Sequence, residues 1–89
     1  MEISYDPAKD ARNIRERQLS FTCVREFDFD TALVEIDSRR DYGEVRYVAL
    51  GLVGDRVHAL VFTETATGIR VISFRKANKR EVLRHEQSR

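Results

Sequence analysis

The chain has 89 residues, room for one small domain spanning 1–89 and no second core. A single cysteine, Cys23, excludes a disulfide framework, and the polar start MEISYDPAKD, with no apolar run near the ~18 residues of a membrane span, predicts a cytoplasmic protein with no membrane partner. Sixteen Lys and Arg against fifteen Asp and Glu leave a formal charge of +1, which excludes a uniformly basic or acidic chain.

Ile3 to Tyr5 reads as a short strand. Asp6-Pro7 then starts a helix: Asp6 caps free N–H groups, and Pro7 has no N–H to waste at the first helical position. The helix runs to about Arg17, with Ala8, Ala11 and Ile14 on one stripe. Ser20 caps a second, shorter helix carrying Phe21, Val24 and Phe27, which Asp28 and Asp30 end. Ala32 to Asp37 alternates as a strand, and Ser38 to Gly43 is a polar loop. Val45–Val53 and Arg56–Thr63 are strands joined at Gly54-Asp55, a Gly-X pair suited to a two-residue hairpin turn. Glu64 to Gly68 turns into a last strand, Ile69–Arg75. Asn78 and Glu81 form a capping box for a helix from about Lys79 to Glu86. The order β-α-α-β-β-β-β-α predicts an α+β fold: a small antiparallel meander with two N-terminal helices and one C-terminal helix.

The hairpin turn predicts the pairs Val53/Arg56, Tyr47/Phe62 and Arg46/Thr63. An equally tight second turn places Thr63 opposite Arg70, Phe62 opposite Val71 and His58 opposite Arg75. Opposed residues share a face. One face then holds Val48, Leu50, Leu52, Ala59, Val61, Ile72 and Phe74; the other holds Tyr47, Ala49, Val53, Leu60, Phe62 and Val71. Both are apolar. Either the helices split between the two faces, or a second chain covers part of one face or an exposed helix stripe. Two polar clusters follow. Arg46, Thr63 and Arg70 line up at one end of the sheet near Glu44 and Glu64. Arg75 lies beside His58 at the other end, with Arg56 and Lys76 near.

Beneath the net charge, thirteen of the sixteen basic residues are Arg, whose planar fork of donors suits phosphate and carboxylate. Glu26 to Glu44 carries seven acids and two bases; Arg70 to Arg89 carries seven bases and two acids. This segregation predicts a dipolar surface, or simply solvated charged faces. The two His and the one Cys show no metal-ligand spacing, and there is no Gly-rich phosphate loop and no Gly-x-Ser-x-Gly elbow, so no metal or cofactor is expected. What remains is arginine chemistry or plain binding.

Four stretches resemble the BrnT toxins of bacterial type II toxin–antitoxin systems, compact relatives of the RelE ribonucleases. Asp6-Pro7-Ala8-Lys9 with Asn13 is similar to the family's opening, with Tyr5 at its aromatic position. Ser20-Phe21 and Phe27-Asp28 match its second helix and exit. Tyr42-Gly43-Glu44-Val45-Arg46-Tyr47 resembles its E-x-R segment, and Arg70-Val71-Ile72-Ser73-Phe74-Arg75-Lys76-Ala77 with Glu81 resembles its last strand and helix start. The chain departs from the pattern at Glu16-Arg17-Gln18, where the family has Lys-His-Gly, and has His85 at a usual aromatic position.

The resemblance implies a RelE-like fold and a metal-free ribonuclease that arrests growth. It also implies a neighbouring ribbon-helix-helix, BrnA-like antitoxin, with DNA bound only through the complex, and a homodimer or toxin–antitoxin heterotetramer. Catalytic candidates are Arg46 and Arg70 for phosphate and transition-state charge, Arg75 for RNA binding or leaving-group assistance, and Glu44 and His58 for acid–base work. RNA-binding candidates are Lys76, Tyr47, Thr63 and Lys9. Motif and strand register select Arg46 and Arg70 independently. The alternatives are a degenerate toxin acting only in a repressor complex, favoured by the Glu16-Arg17-Gln18 change, and a general nucleic-acid-binding domain using the basic C-terminal segment.

Overall fold

The computed structural model describes Met1–Arg89. Its elements are β1 (Glu2–Tyr5), α1 (Pro7–Arg17), a 3-10 helix (Phe21–Glu26), β2 (Leu33–Ile36), β3 (Tyr47–Val53), β4 (Arg56–Glu64), β5 (Gly68–Lys76) and α2 (Lys79–Gln87). The strands form one sheet in the order β1-β5-β4-β3-β2. β2 to β5 are the expected antiparallel meander. β1 adds a parallel edge, pairing Glu2 with Gly68 and Tyr5 with Val71, so the sheet is mixed rather than wholly antiparallel. The close approach needs Gly68: a Cβ there would run into the backbone of Glu2.

The hairpin between β3 and β4 has the expected register, from Val53/Arg56 to Tyr47/Phe62. Gly54 takes φ 63° and Asp55 stays at negative φ, as a Gly-X hairpin turn requires. Between β4 and β5 the register begins as expected, with Thr63/Arg70 and Phe62/Val71, and then shifts by one residue. Val61 pairs with Ser73, Leu60 with Phe74, Ala59 with Arg75 and His58 with Lys76. Ile72 is the extra residue of a β-bulge. Because side chains alternate with period two, one inserted residue exchanges the faces of everything beyond it. Phe74 therefore moves to the face expected to lack it, and Arg75 does not lie beside His58.

The face bearing Ala49, Leu60, Phe62, Val71 and Phe74 packs against Phe21, Val24 and Phe27 of the 3-10 segment. Leu60 and Phe74 are fully buried, each contributing about 1.5–3 kcal/mol by removal from water. The opposite face forms a smaller cluster of Leu50, Val57, Ala59 and Ala77, closed by Leu52 and Val82. The helices thus split between the two faces.

α1 starts as its sequence predicts: Asp6 accepts from the Ala8 N–H at 2.9 Å, with Pro7 at the first turn. Its docking face differs from expectation. Ala8, Ala11 and Ile14 are exposed. The side facing the protein is polar, because Asn13 is the buried residue and donates to the carbonyls of Leu19 at 3.0 Å and Phe74 at 2.9 Å. Asp10 accepts from the Phe21 N–H at 2.8 Å. These bonds, rather than an apolar stripe, tie α1 down. The second helix is a six-residue 3-10 segment with Phe27 at its C-cap. The capping box of α2 is present as predicted, and His85 is buried with Nε2 3.1 Å from the Thr31 carbonyl.

Candidate active site

At one end of the sheet Thr63 of β4 pairs with Arg70 of β5, and Arg46 stands immediately before β3, one residue short of the observed Tyr47/Phe62 pairing. Glu44 lies between the two arginines. The Arg46 Nε donates to it at 3.0 Å and the Arg70 Nη2 at 3.1 Å. These donors, Arg46 first, hold the Glu44 carboxyl below its ordinary value, so it is ionised at neutral pH. The two cations share one acid on an open surface, with Arg46 and Arg70 both partly exposed, and Glu64 close by balances the second charge. Thr63 is buried, and its hydroxyl donates to the Val45 carbonyl at 2.8 Å, which holds the start of β3 against β4. Tyr47 donates to Glu64 at 3.0 Å, and that bond raises its pKa. Glu44, Tyr47, Thr63, Glu64 and Arg70 line a hollow of about 390 Å³.

The bulge changes what lies along the sheet. Arg75 pairs with Ala59, which puts it on the Thr63–Arg70 face. Four residues separate Ala59 from Thr63 on β4, or about 13 Å along the strand. A groove of about 360 Å³ occupies this face. Val48, Leu50, Val61 and Ser73 form its floor, while Arg39, Arg75 and Arg84 stand around it, each paired with an acid of the same lining, Asp37, Glu81 and Glu35 in turn. Arg75 is gripped by Glu81 through two bonds of 2.8 and 2.9 Å. The same carboxylate caps α2, accepting from the Asn78 N–H at 2.9 Å. The pairing lowers the Glu81 pKa and raises that of Arg75, so Arg75 acts as a fixed charge and not as a proton donor.

The other expected residues lie apart. His58 is buried on the opposite face, its ring stacked on Phe74 at 5.2 Å. Burial pushes its pKa down. Lys76 is beside it and exposed, as expected. Lys9 is exposed on α1. The structure therefore unites Arg46, Arg70, Glu44 and Thr63 with Tyr47 at the rim, and adds Arg75 on the same face. His58, Lys76 and Lys9 do not join them.

Two residues outside the expected set belong to this end of the sheet. The Arg46 guanidinium lies 4.2 Å from the centroid of the Tyr42 ring, and the Tyr42 hydroxyl donates to Asp37 at 3.0 Å. The sequence signal was thin: an aromatic four residues before an arginine, in a loop whose closure no local pattern announces.

The arrangement suits anion binding, and on geometry alone it fits RNA or an acidic protein. Residues 5–81 match the family described as ribonuclease toxin, BrnT, of type II toxin–antitoxin system. The chain belongs to the BrnT toxin family. No curated protein matches it. The match contains Arg46, Arg70, Arg75 and Glu81, while Arg84 at the groove's edge lies beyond it. An antitoxin partner follows from that membership. At the departure from the family pattern, Arg17 stands at the His position and bonds Asn13 at 2.8 Å. Gln18 stands at the Gly position in the left-handed region, φ 52°.

Proposed function

We propose that this BrnT protein is a metal-independent endoribonuclease whose substrate crosses the face carrying Arg46, Arg70 and Arg75. The observation that carries the reading is the bulge at Ile72, because it turns Arg75 onto the face of the other two arginines. A single strand of RNA then meets arginines whose strand positions are about 13 Å apart along the sheet, with the largely apolar floor of the groove beside Arg75 available to bases.

Cleavage without a metal needs three things: a base for the 2′-OH, charge stabilisation for the pentavalent phosphorus, and a proton for the leaving oxygen. Arg46 and Arg70 supply the second. Substrate phosphate takes the place of Glu44 between them. Glu44 is then released from the cations that depress its pKa, and its carboxylate lies beside the phosphate as the base. Glu44 takes the 2′-OH proton as the 2′-oxygen bonds phosphorus, the bond to the 5′-oxygen breaks, water protonates the leaving oxygen, and the hydroxide left recovers the proton from Glu44. Arg75 holds a neighbouring phosphate. A ribbon-helix-helix antitoxin neutralises the enzyme.

A second reading is a catalytically degenerate toxin that acts only in an antitoxin–DNA complex. Arg17 at the His position favours it, because a guanidinium does not exchange protons near neutral pH. Expression without antitoxin separates the two. The enzyme reading expects growth arrest by the wild type and normal growth with Arg70→Ala at equal protein levels. Equal toxicity, or harmlessness of both, rejects the assignment of Arg70.

A further inference from the structure

We propose that Asp37 and Tyr42 are positioning residues that aim the Arg46 guanidinium at the substrate phosphate. The proposal rests on the reading of Arg46 as a phosphate-binding group. The loop between β2 and β3 is closed at its base by the Asp37 N–H, which donates to the Arg46 carbonyl at 2.7 Å. The Asp37 side chain is only 2 % exposed. One of its oxygens accepts from the Arg39 backbone N–H at 3.2 Å and from Arg39 Nε at 2.8 Å. The other accepts from Arg39 Nη2 at 2.8 Å and from the Tyr42 hydroxyl at 3.0 Å. Four donors satisfy the carboxylate, and they hold its pKa far below the usual range, the Arg39 side chain most of all.

Tyr42 is thereby fixed at its hydroxyl end. Its ring face carries the Arg46 guanidinium at 4.2 Å, an attraction of the cation to the ring quadrupole that also fixes the plane of the guanidinium. Before substrate binds, Glu44 holds one edge through Nε, and the ring is what keeps the guanidinium in place once phosphate displaces Glu44. The two Nη groups make no hydrogen bond within the chain and are left to meet an anion. The buried acid thus sets the ring, the ring sets the arginine, and the arginine keeps its terminal donors open. The Arg40 guanidinium lies farther from the same ring, 5.5 Å from its centroid, and Arg46 is the one that also shares Glu44 with Arg70.

The experiment uses the full chain labelled with ¹⁵N-arginine. It compares wild type, Tyr42→Phe, Tyr42→Leu and Asp37→Asn by NMR of the Arg46 side chain and by single-turnover RNA cleavage. Ring current should place the Arg46 side-chain protons upfield of the other arginines, with Arg40, 5.5 Å from the same ring, displaced less. Tyr42→Leu should abolish that displacement. Tyr42→Phe and Asp37→Asn, which keep the ring but loosen it, should reduce it. Tyr42→Leu should slow cleavage about tenfold, less than the ~100-fold cost of a 1 Å misplacement, with Tyr42→Phe recovering most of the rate. The loss should fall on the rate and not on KM. Arg46 signals identical in wild type and Tyr42→Leu overturn the proposal, as does full cleavage by Tyr42→Leu where Arg46→Ala is inactive. If wild type does not cleave RNA, the functional reading fails while the NMR comparison still decides whether the ring positions Arg46.

Discussion

His58 shows how a residue type associated with catalysis becomes structural through its surroundings. Its Nδ1 lies 2.9 Å from the Arg56 carbonyl. A carbonyl only accepts, so Nδ1 carries the proton in the neutral ring. Burial lowers the pKa from 6.5, and the charges of Arg56 and Lys76 act in the same direction. The unfolded chain therefore binds a proton here more readily than the folded one. The stability linked to His58 is complete above about pH 6.5 and is lost as pH falls toward the depressed folded value. Thermal melting should show Tm level above about pH 7 and declining below about 6.5, before the carboxylates titrate. The His58→Gln variant should show a flatter profile in that window. An equal decline in both proteins would remove His58 as the cause.

At the scale of elements, the end of α1 is under strain. Gln18 closes the helix in the left-handed region, where a side chain costs about 1–2 kcal/mol and glycine costs little. Gln18→Gly should raise stability by about 1 kcal/mol, less the added flexibility of the unfolded chain, and Tm by about 4–8 °C. Unchanged or lower Tm in a melting curve would show that the Gln18 Nε2 bond to the Arg15 carbonyl, at 3.2 Å, matters more than the strain. Much of the element order was legible because it rests on local chemistry: the Asp6-Pro7 start, the Gly54-Asp55 turn and the Asn78–Glu81 box each name their own position. The turn also made the β3/β4 register legible, since it counts residues outward from a fixed point, while the place of Arg70 needed the further assumption of a tight second turn. The bulge was not legible. Ile72 carries no glycine or other mark of an inserted residue, and Val71 to Phe74 alternates as smoothly in the wrong register as in the right one. The packing face of α1 was missed for a related reason, because apolar spacing does not reveal a helix docked through Asn13. Asp37 and Tyr42 were missed because their relation to Arg46 depends on loop closure.

At the scale of the molecule, the segregated charge does not resolve into two poles. The acidic 26–44 stretch and the basic C-terminal stretch meet: Glu44 bonds Arg70 at 3.1 Å and Glu35 bonds Arg84 at 2.9 Å. Exposed pairs of this kind contribute at most about 1 kcal/mol. They hold guanidinium groups on one face of the sheet, and in the proposed reading a substrate phosphate replaces Glu44 there. Binding of RNA on that face should weaken with salt, and each phosphate-contacting arginine removed should lower the log–log slope by about 0.7. The measurement closest to the central claim is cleavage of single-stranded RNA by the purified, antitoxin-free chain in EDTA, with Arg46→Ala and Arg70→Ala alongside. The account predicts cleavage by wild type that EDTA leaves intact, and a rate about 100- to 1,000-fold lower in either variant. Cleavage that EDTA abolishes, or that either variant retains in full, would contradict it.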